Sequence, residues 1–139
     1  MDYKLDRIKE YLKEISAQWE TKATTELSYR AALQSLLADL IPGVTVVNEP
    51  SHIDCGAPDL LVRSNDATHA PVGYVETKKI DDGDLDGNGK NKEQFSRYKA
   101  ELDNLVFTDY LDFRFCPLSD AKPQKKSFGQ HVKNSAAQN

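Results

Sequence analysis

The sequence predicts an α/β domain in which a small β-sheet is flanked by helices. Three observations carry that expectation. Apolar residues recur at helical spacing over residues 3–20 and again over 27–40. Short apolar runs follow at 44–47, 58–62 and 72–80. A further helical stretch at 92–103 then leads into two apolar runs at 104–108 and 111–115.

In residues 3–20, Leu5, Ile8, Leu12, Ile15 and Trp19 stand at steps of three and four among Lys, Arg, Asp and Glu. That spacing gives an amphipathic N-terminal helix with one apolar stripe. Its polar face mixes both charge signs, which favours packing against its own domain or a partner domain over a membrane surface. Thr24 and Thr25 ahead of Glu26 offer an N-cap, Leu27, Ala31, Leu33, Leu36, Leu37 and Leu40 run on as a second helix, and Pro42-Gly43 stops it. Glu26 in the first turn complements the helix dipole.

The β-branched run 44–47 reads as a strand, the polar stretch 48–56 as a connection, and 58–62 as the next strand. Residues 64–71, rich in Asn, Asp, Thr and Pro, can turn that strand back into a third one at 72–80. Asp and Gly dominate 81–91, a loop; Asp82, Asp84, Asp86 and Gly87 lack the closing glutamate of a calcium-binding loop. The helix at 92–103 carries Phe95, Tyr98 and Leu102 on one side, and Asp109-Tyr110 separates the final two runs as a hairpin.

A chain of 139 residues fits one domain, here 1–121, with an N-terminal helix at 1–22, a core at 24–116 and a polar, lysine-containing tail or linker at 122–139. The formal net charge of −4 gives no overall basic footprint for nucleic acid or anionic lipid. Cys55 and Cys116 form no CxxC pair, and His52, His69 and His131 are scattered, so zinc and a catalytic histidine are not expected. Reduced cysteines, the lack of a signal-peptide core and the lack of a membrane-length apolar stretch make a cytoplasmic setting the expectation.

The chemistry concentrates where core strands carry charge. Asp59 precedes Leu60-Leu61-Val62, and Glu76-Thr77-Lys78 closes Val72-Gly73-Tyr74-Val75. Buried carboxylates are costly unless paired or bound to a metal. Strand alternation sends Glu76 and Lys78 to one side and Thr77 to the other, and pairing of the two strands brings Asp59 beside Glu76. Two carboxylates and the main-chain carbonyl of Thr77 make the all-oxygen site that Mg²⁺ or Mn²⁺ prefers. Such an ion lowers the pKa of a bound water and offsets charge on a scissile phosphate, and Lys78 beside it could orient that water.

Pro58-Asp59 followed by Glu76-Thr77-Lys78 resembles the PD-(D/E)xK signature of restriction-endonuclease-like nucleases. The wider words resemble the N-terminal nuclease regions of large fused restriction-modification enzymes. They are Gly56-Ala57-Pro58-Asp59-Leu60, Gly73-Tyr74-Val75-Glu76-Thr77-Lys78, a QxxxY motif from Gln94 to Tyr98, and the hairpin from Asn104 to Arg114, together covering about residues 26–115. The resemblance implies a restriction-endonuclease-like fold, with a central mixed sheet of four to five strands flanked by α-helices. It implies a metal-dependent DNA endonuclease with Asp59 and Glu76 as metal ligands, Lys78 as catalytic lysine and Glu26 reaching the metal directly or through water. Gln94 and Tyr98 would line the site and its DNA approach. Lys79 and Arg97 are further candidates for contact with the DNA backbone. Implied partners are double-stranded DNA and a fused or associated methyltransferase and target-recognition module, with a homodimer as a route to double-strand cleavage.

Taken singly, these residues also have ordinary readings. Asp59 can fix a turn before a strand, Glu76 and Lys78 can be an exposed charge pair, and Gln94 and Tyr98 can pack a helix surface. A catalytically silent nucleic-acid-binding or assembly domain and a stand-alone dimeric repair nuclease are the alternative functions.

Overall fold

The computed structural model describes residues 2–23, 25–48, 50 and 56–117. In chain order the elements are α1 (Tyr3–Thr21), α2 (Glu26–Leu40), β1 (Val44–Asn48), β2 (Leu60–Ser64), β3 (Pro71–Thr77), α3 (Lys92–Glu101), β4 (Leu105–Thr108) and β5 (Phe113–Cys116). The strands form one five-stranded sheet in the order β1-β2-β3-β4-β5. Neighbours pair antiparallel except β3 and β4, which run parallel. A parallel pair needs a crossover, and α3 supplies it. The sheet is therefore mixed and flanked by helices, as the sequence predicts.

Alternation along β3 divides the interior in two. Val75 joins Tyr11, Ile15, Leu33, Leu36, Leu60 and Val62 in a core under α1 and α2. Its neighbour Tyr74 joins Phe95, Tyr98, Leu105 and Phe107 under α3 on the opposite face, where the Phe95 and Phe107 rings stack with centroids 3.7 Å apart. The polar turn between β2 and β3 closes as expected, with Ser64 N–H donating to the Ala70 carbonyl at 2.8 Å.

The helices bury part of the apolar set that the periodicity indicates, Ile15 in α1 and Leu33 and Leu36 in α2, together with residues outside it. In α1, Tyr11 and Ile15 are each 1% exposed, whereas Leu5, Ile8, Leu12 and Trp19 keep between 37% and 53% of their surface. The helix rides on α2 along an i, i+4 ridge, where Arg7 reaches Asp39 at 2.6 Å and Ser35 at 3.2 Å. A ridge that narrow covers Tyr11 and Ile15 and leaves most of the apolar stripe open. In α2 the buried residues are Tyr29, Arg30, Ala32, Leu33 and Leu36, while Leu27 is exposed. Thr25 occupies the N-cap position without a side-chain capping bond. Thr24 lies outside the described residues, as do Cys55, His52, His131 and the tail at 122–139. Among the described residues, no helix is long and apolar enough to cross a membrane.

Gly73 marks the tightest joint in the sheet. A Cβ there would stand 2.6 Å from the Asn104 carbonyl oxygen, which accepts the Tyr74 N–H at 3.1 Å. Gly73→Ala is accordingly expected to destabilise the domain by about 1–3 kcal/mol through overpacking, read as a lower urea midpoint.

Candidate active site

The charged residues meet at the end of β3. Leu60 pairs with Val75 across the antiparallel β2/β3 ladder, so Asp59, one step before β2, faces Glu76. The Asp59 N–H donates to Glu76 Oε1 at 3.3 Å. The Asp59 carboxylate in turn accepts from the Thr77 N–H at 2.8 Å and the Thr77 hydroxyl at 2.7 Å, both on Oδ2. Asp59 thus ties itself to the strand it faces.

Alternation then distributes the remaining groups. Glu76 and Lys78 fall on the α3 side, and Lys78 Nζ stands 3.6 Å from Glu76 Oε2. Gln94 of α3 accepts a 2.6 Å hydrogen bond from the same ammonium, which also lies 5.7 Å from the centre of the Phe95 ring. The Lys78 N–H donates to the Thr108 carbonyl at 2.8 Å, extending the β3/β4 pairing past Thr77 and fixing the lysine backbone. Thr77 falls on the α2 side, where its hydroxyl approaches Glu26 Oε1 at 3.3 Å.

Glu76 is 5% exposed. Burial, reinforced by the neighbouring Asp59 charge and only partly offset by Lys78, pushes its carboxyl up to about 7 from the ordinary 4.5. A buried acid beside another carboxylate is an unusual electrostatic feature, and such groups concentrate at functional sites. Tyr98 lies one turn beyond Gln94, buried; its phenol is raised by burial and by Glu76, and its hydroxyl donates to the Ala57 carbonyl at 3.3 Å.

The site residues anticipated from sequence therefore fall into two groups. Glu26, Asp59, Glu76, Thr77, Lys78 and Gln94 are linked by contacts of 3.6 Å or less, and Tyr98 supports the segment before Asp59. Arg97 and Lys79 lie at the edges of this network. Arg97 is exposed, ion-paired with Glu93 at 3.5 Å and 5.7 Å from the Tyr98 ring, while Lys79 lies on the α1/α2 side.

Two residues join the site without having been anticipated. Arg30, one turn after Glu26 and buried, places Nη2 3.2 Å from Asp59 Oδ1; an arginine set among Tyr29, Ala31, Ala32 and Leu33 was the available signal. Tyr110 donates its hydroxyl to Glu26, and its own carbonyl accepts the Tyr11 hydroxyl at 2.6 Å. Tyr110 adopts φ +78°, a left-handed conformation costing a bulky residue on the order of 1–2 kcal/mol. The turn is held by Asp109, which accepts the Leu111 and Asp112 N–H groups at 3.1 and 2.8 Å. Tyr110→Phe leaves Glu26 with one fewer donor and is expected to cost about 1.5–3 kcal/mol, read by urea denaturation.

Among the described residues, no three His, Cys, Asp or Glu side chains gather as a metal-holding group. The Asp59 and Glu76 carboxylates are neighbours close enough to interact. Their all-oxygen chemistry fits a hard divalent cation. Arg30 already offsets part of the charge at Asp59.

No protein-family model and no curated protein sequence matches the chain. A solved structure, a cryo-EM structure of a DrdV–DNA complex, contains a similar chain with a TM-score of 0.65 at 23% identity, over 89% of this chain and 83% of that one. The two share a fold.

Proposed function

We propose that the domain is a Mg²⁺-dependent DNA endonuclease of the PD-(D/E)xK type, serving as the cleavage module of a restriction-modification enzyme. The observation that carries the reading is the buried Glu76 carboxylate, bonded by the Asp59 N–H and standing 3.6 Å from the Lys78 ammonium. The similar chain in a DNA complex supports DNA as the substrate. A silent binding domain has no use for a carboxylate pair where phosphates must approach, because like charge repels them.

In this reading Asp59, Glu76 and the Thr77 main-chain carbonyl would hold the ion, with Glu26 acting through water. Mg²⁺, or Mn²⁺ in its place, supplies Lewis-acid stabilisation of charge on the scissile phosphate. The protein does the rest. Gln94 holds Lys78 Nζ through its side-chain oxygen, so the ammonium is oriented towards the Glu76 edge of the site, where it can orient the attacking water and meet phosphate charge. Arg30 and Thr77 fix the Asp59 carboxylate, and Tyr110 fixes Glu26. Target recognition would come from a fused or associated methyltransferase and recognition module, and a homodimer would allow both strands to be cut.

The test is conversion of supercoiled plasmid by the full chain. Nicked or linear product is expected with Mg²⁺ or Mn²⁺ and not with EDTA. Product that persists in EDTA, or no product with either metal at saturating protein, counts against the proposal.

A further inference from the structure

A cleft of ≈ 590 Å³ opens on the α1/α2 side, lined by Trp19, Lys22, Glu26, Tyr29, Lys79 and Ile80. Its volume falls within the ~300–1,000 Å³ of small-molecule sites. Glu26 belongs to both this cleft and the carboxylate site, through its contact with Thr77 and, by way of Thr77, with Asp59. The two are adjoining compartments at the end of β3.

The lining has a specific chemistry. Trp19 keeps 53% of its surface exposed at the end of α1, and Ile80 and Tyr29 extend that apolar and aromatic wall. Lys22 and Lys79 are both exposed, and neither forms an ion pair among the described residues. Lys22 is held in a left-handed conformation, φ 56°, with its N–H on the Trp19 carbonyl at 3.2 Å. The acidic member of the wall, Glu26, is engaged by Tyr110 and Thr77. An aromatic face with two unpaired ammonium groups complements a planar apolar body that carries negative charge.

We infer that this cleft takes one unstacked nucleotide of the DNA strand, its base against Trp19 and its phosphate between Lys22 and Lys79. The inference rests on the nuclease reading above, since continuity with the Asp59–Glu76 site is what makes a passing DNA strand the occupant. Base stacking on an aromatic side chain tolerates any sequence, so the cleft would grip a strand next to the scissile phosphate without reading it.

Trp19 is the only tryptophan in the chain, so its fluorescence reports the cleft directly, and EDTA separates binding from cutting. Titration of the full chain in EDTA with single-stranded dT6 is expected to quench Trp19 saturably, whereas inorganic phosphate at the same charge leaves it unchanged. Lys22→Asn, which tolerates the left-handed backbone, combined with Lys79→Gln is expected to weaken binding about tenfold. Trp19→Leu, followed through anisotropy of labelled dT6, is expected to weaken it to a similar degree. Circular dichroism of the variants confirms that the fold is kept. No saturable quenching, equal quenching by phosphate, or folded variants that bind like wild type would overturn the inference. Quenching by dT6 in a chain that cuts no plasmid would sink the nuclease reading and leave the cleft as a nucleotide site.

Discussion

Lys78→Ala is expected to reduce plasmid cleavage by about 10²–10³-fold while leaving the fold and the affinity for Mn²⁺ nearly intact. The lysine is the cation aimed at the Glu76 edge of the site, 3.6 Å from Oε2, and its ammonium is held by Gln94. Losing it removes a positive group at the place where phosphate charge grows, and a loss of transition-state stabilisation alone lowers turnover without lowering metal occupancy. Gln94→Ala should act in the same direction more weakly, because the ammonium then persists but loses its anchor. The pair is checked by nicking rates at saturating Mg²⁺ together with thermal melts. A Lys78→Ala protein that nicks at the wild-type rate would remove the lysine from the mechanism.

The second large effect is on stability. Glu76 titrates near 7 in the folded protein against an ordinary 4.5, so between those values the native state keeps a proton that the unfolded chain releases. The stabilising contribution of Glu76 is then fully present below about pH 4.5, is lost as pH rises through 7, and amounts to on the order of 3 kcal/mol. Urea midpoints in EDTA should be higher at pH 5 than at pH 8 for the wild type, and Glu76→Gln should flatten most of that difference. Asp82 and Asp84 are lowered by their hydrogen bonds and act only at more acid pH, while burial raises Tyr11 and Tyr110 out of the window on the alkaline side. Adding Mg²⁺ at pH 8 should restore stability, because a bound cation replaces the proton. Parallel pH profiles for wild type and Glu76→Gln would contradict the assignment of the buried charge.

What could be read in the sequence was whatever is decided locally. The order of elements, the Ser64 to Pro71 turn, the arrest of α2 near Pro42-Gly43 and the alternation of Glu76, Thr77 and Lys78 each depend on a few neighbouring residues, and the structure has them. The approach of Asp59 to Glu76 followed from one assumption, that the two strands pair. The face of α1 that buries did not follow, because it is set by the ridge of α2 it meets, and Tyr11 serves there through a hydroxyl that reaches the Tyr110 carbonyl. Tyr110 and Glu26 are 84 residues apart, and no periodicity relates them. Arg30 was legible only as an oddity. Its meaning lies in Asp59, which arrives from another element.

Calorimetric titration of Mn²⁺ into the wild type, Asp59→Ala and Glu76→Ala is the most direct measurement of the central claim, that these two carboxylates form a cation site for phosphodiester cleavage. Saturable binding to the wild type, with affinity at least tenfold weaker in each variant, is the predicted result. Equal affinity in all three proteins, each folded by circular dichroism, would contradict it.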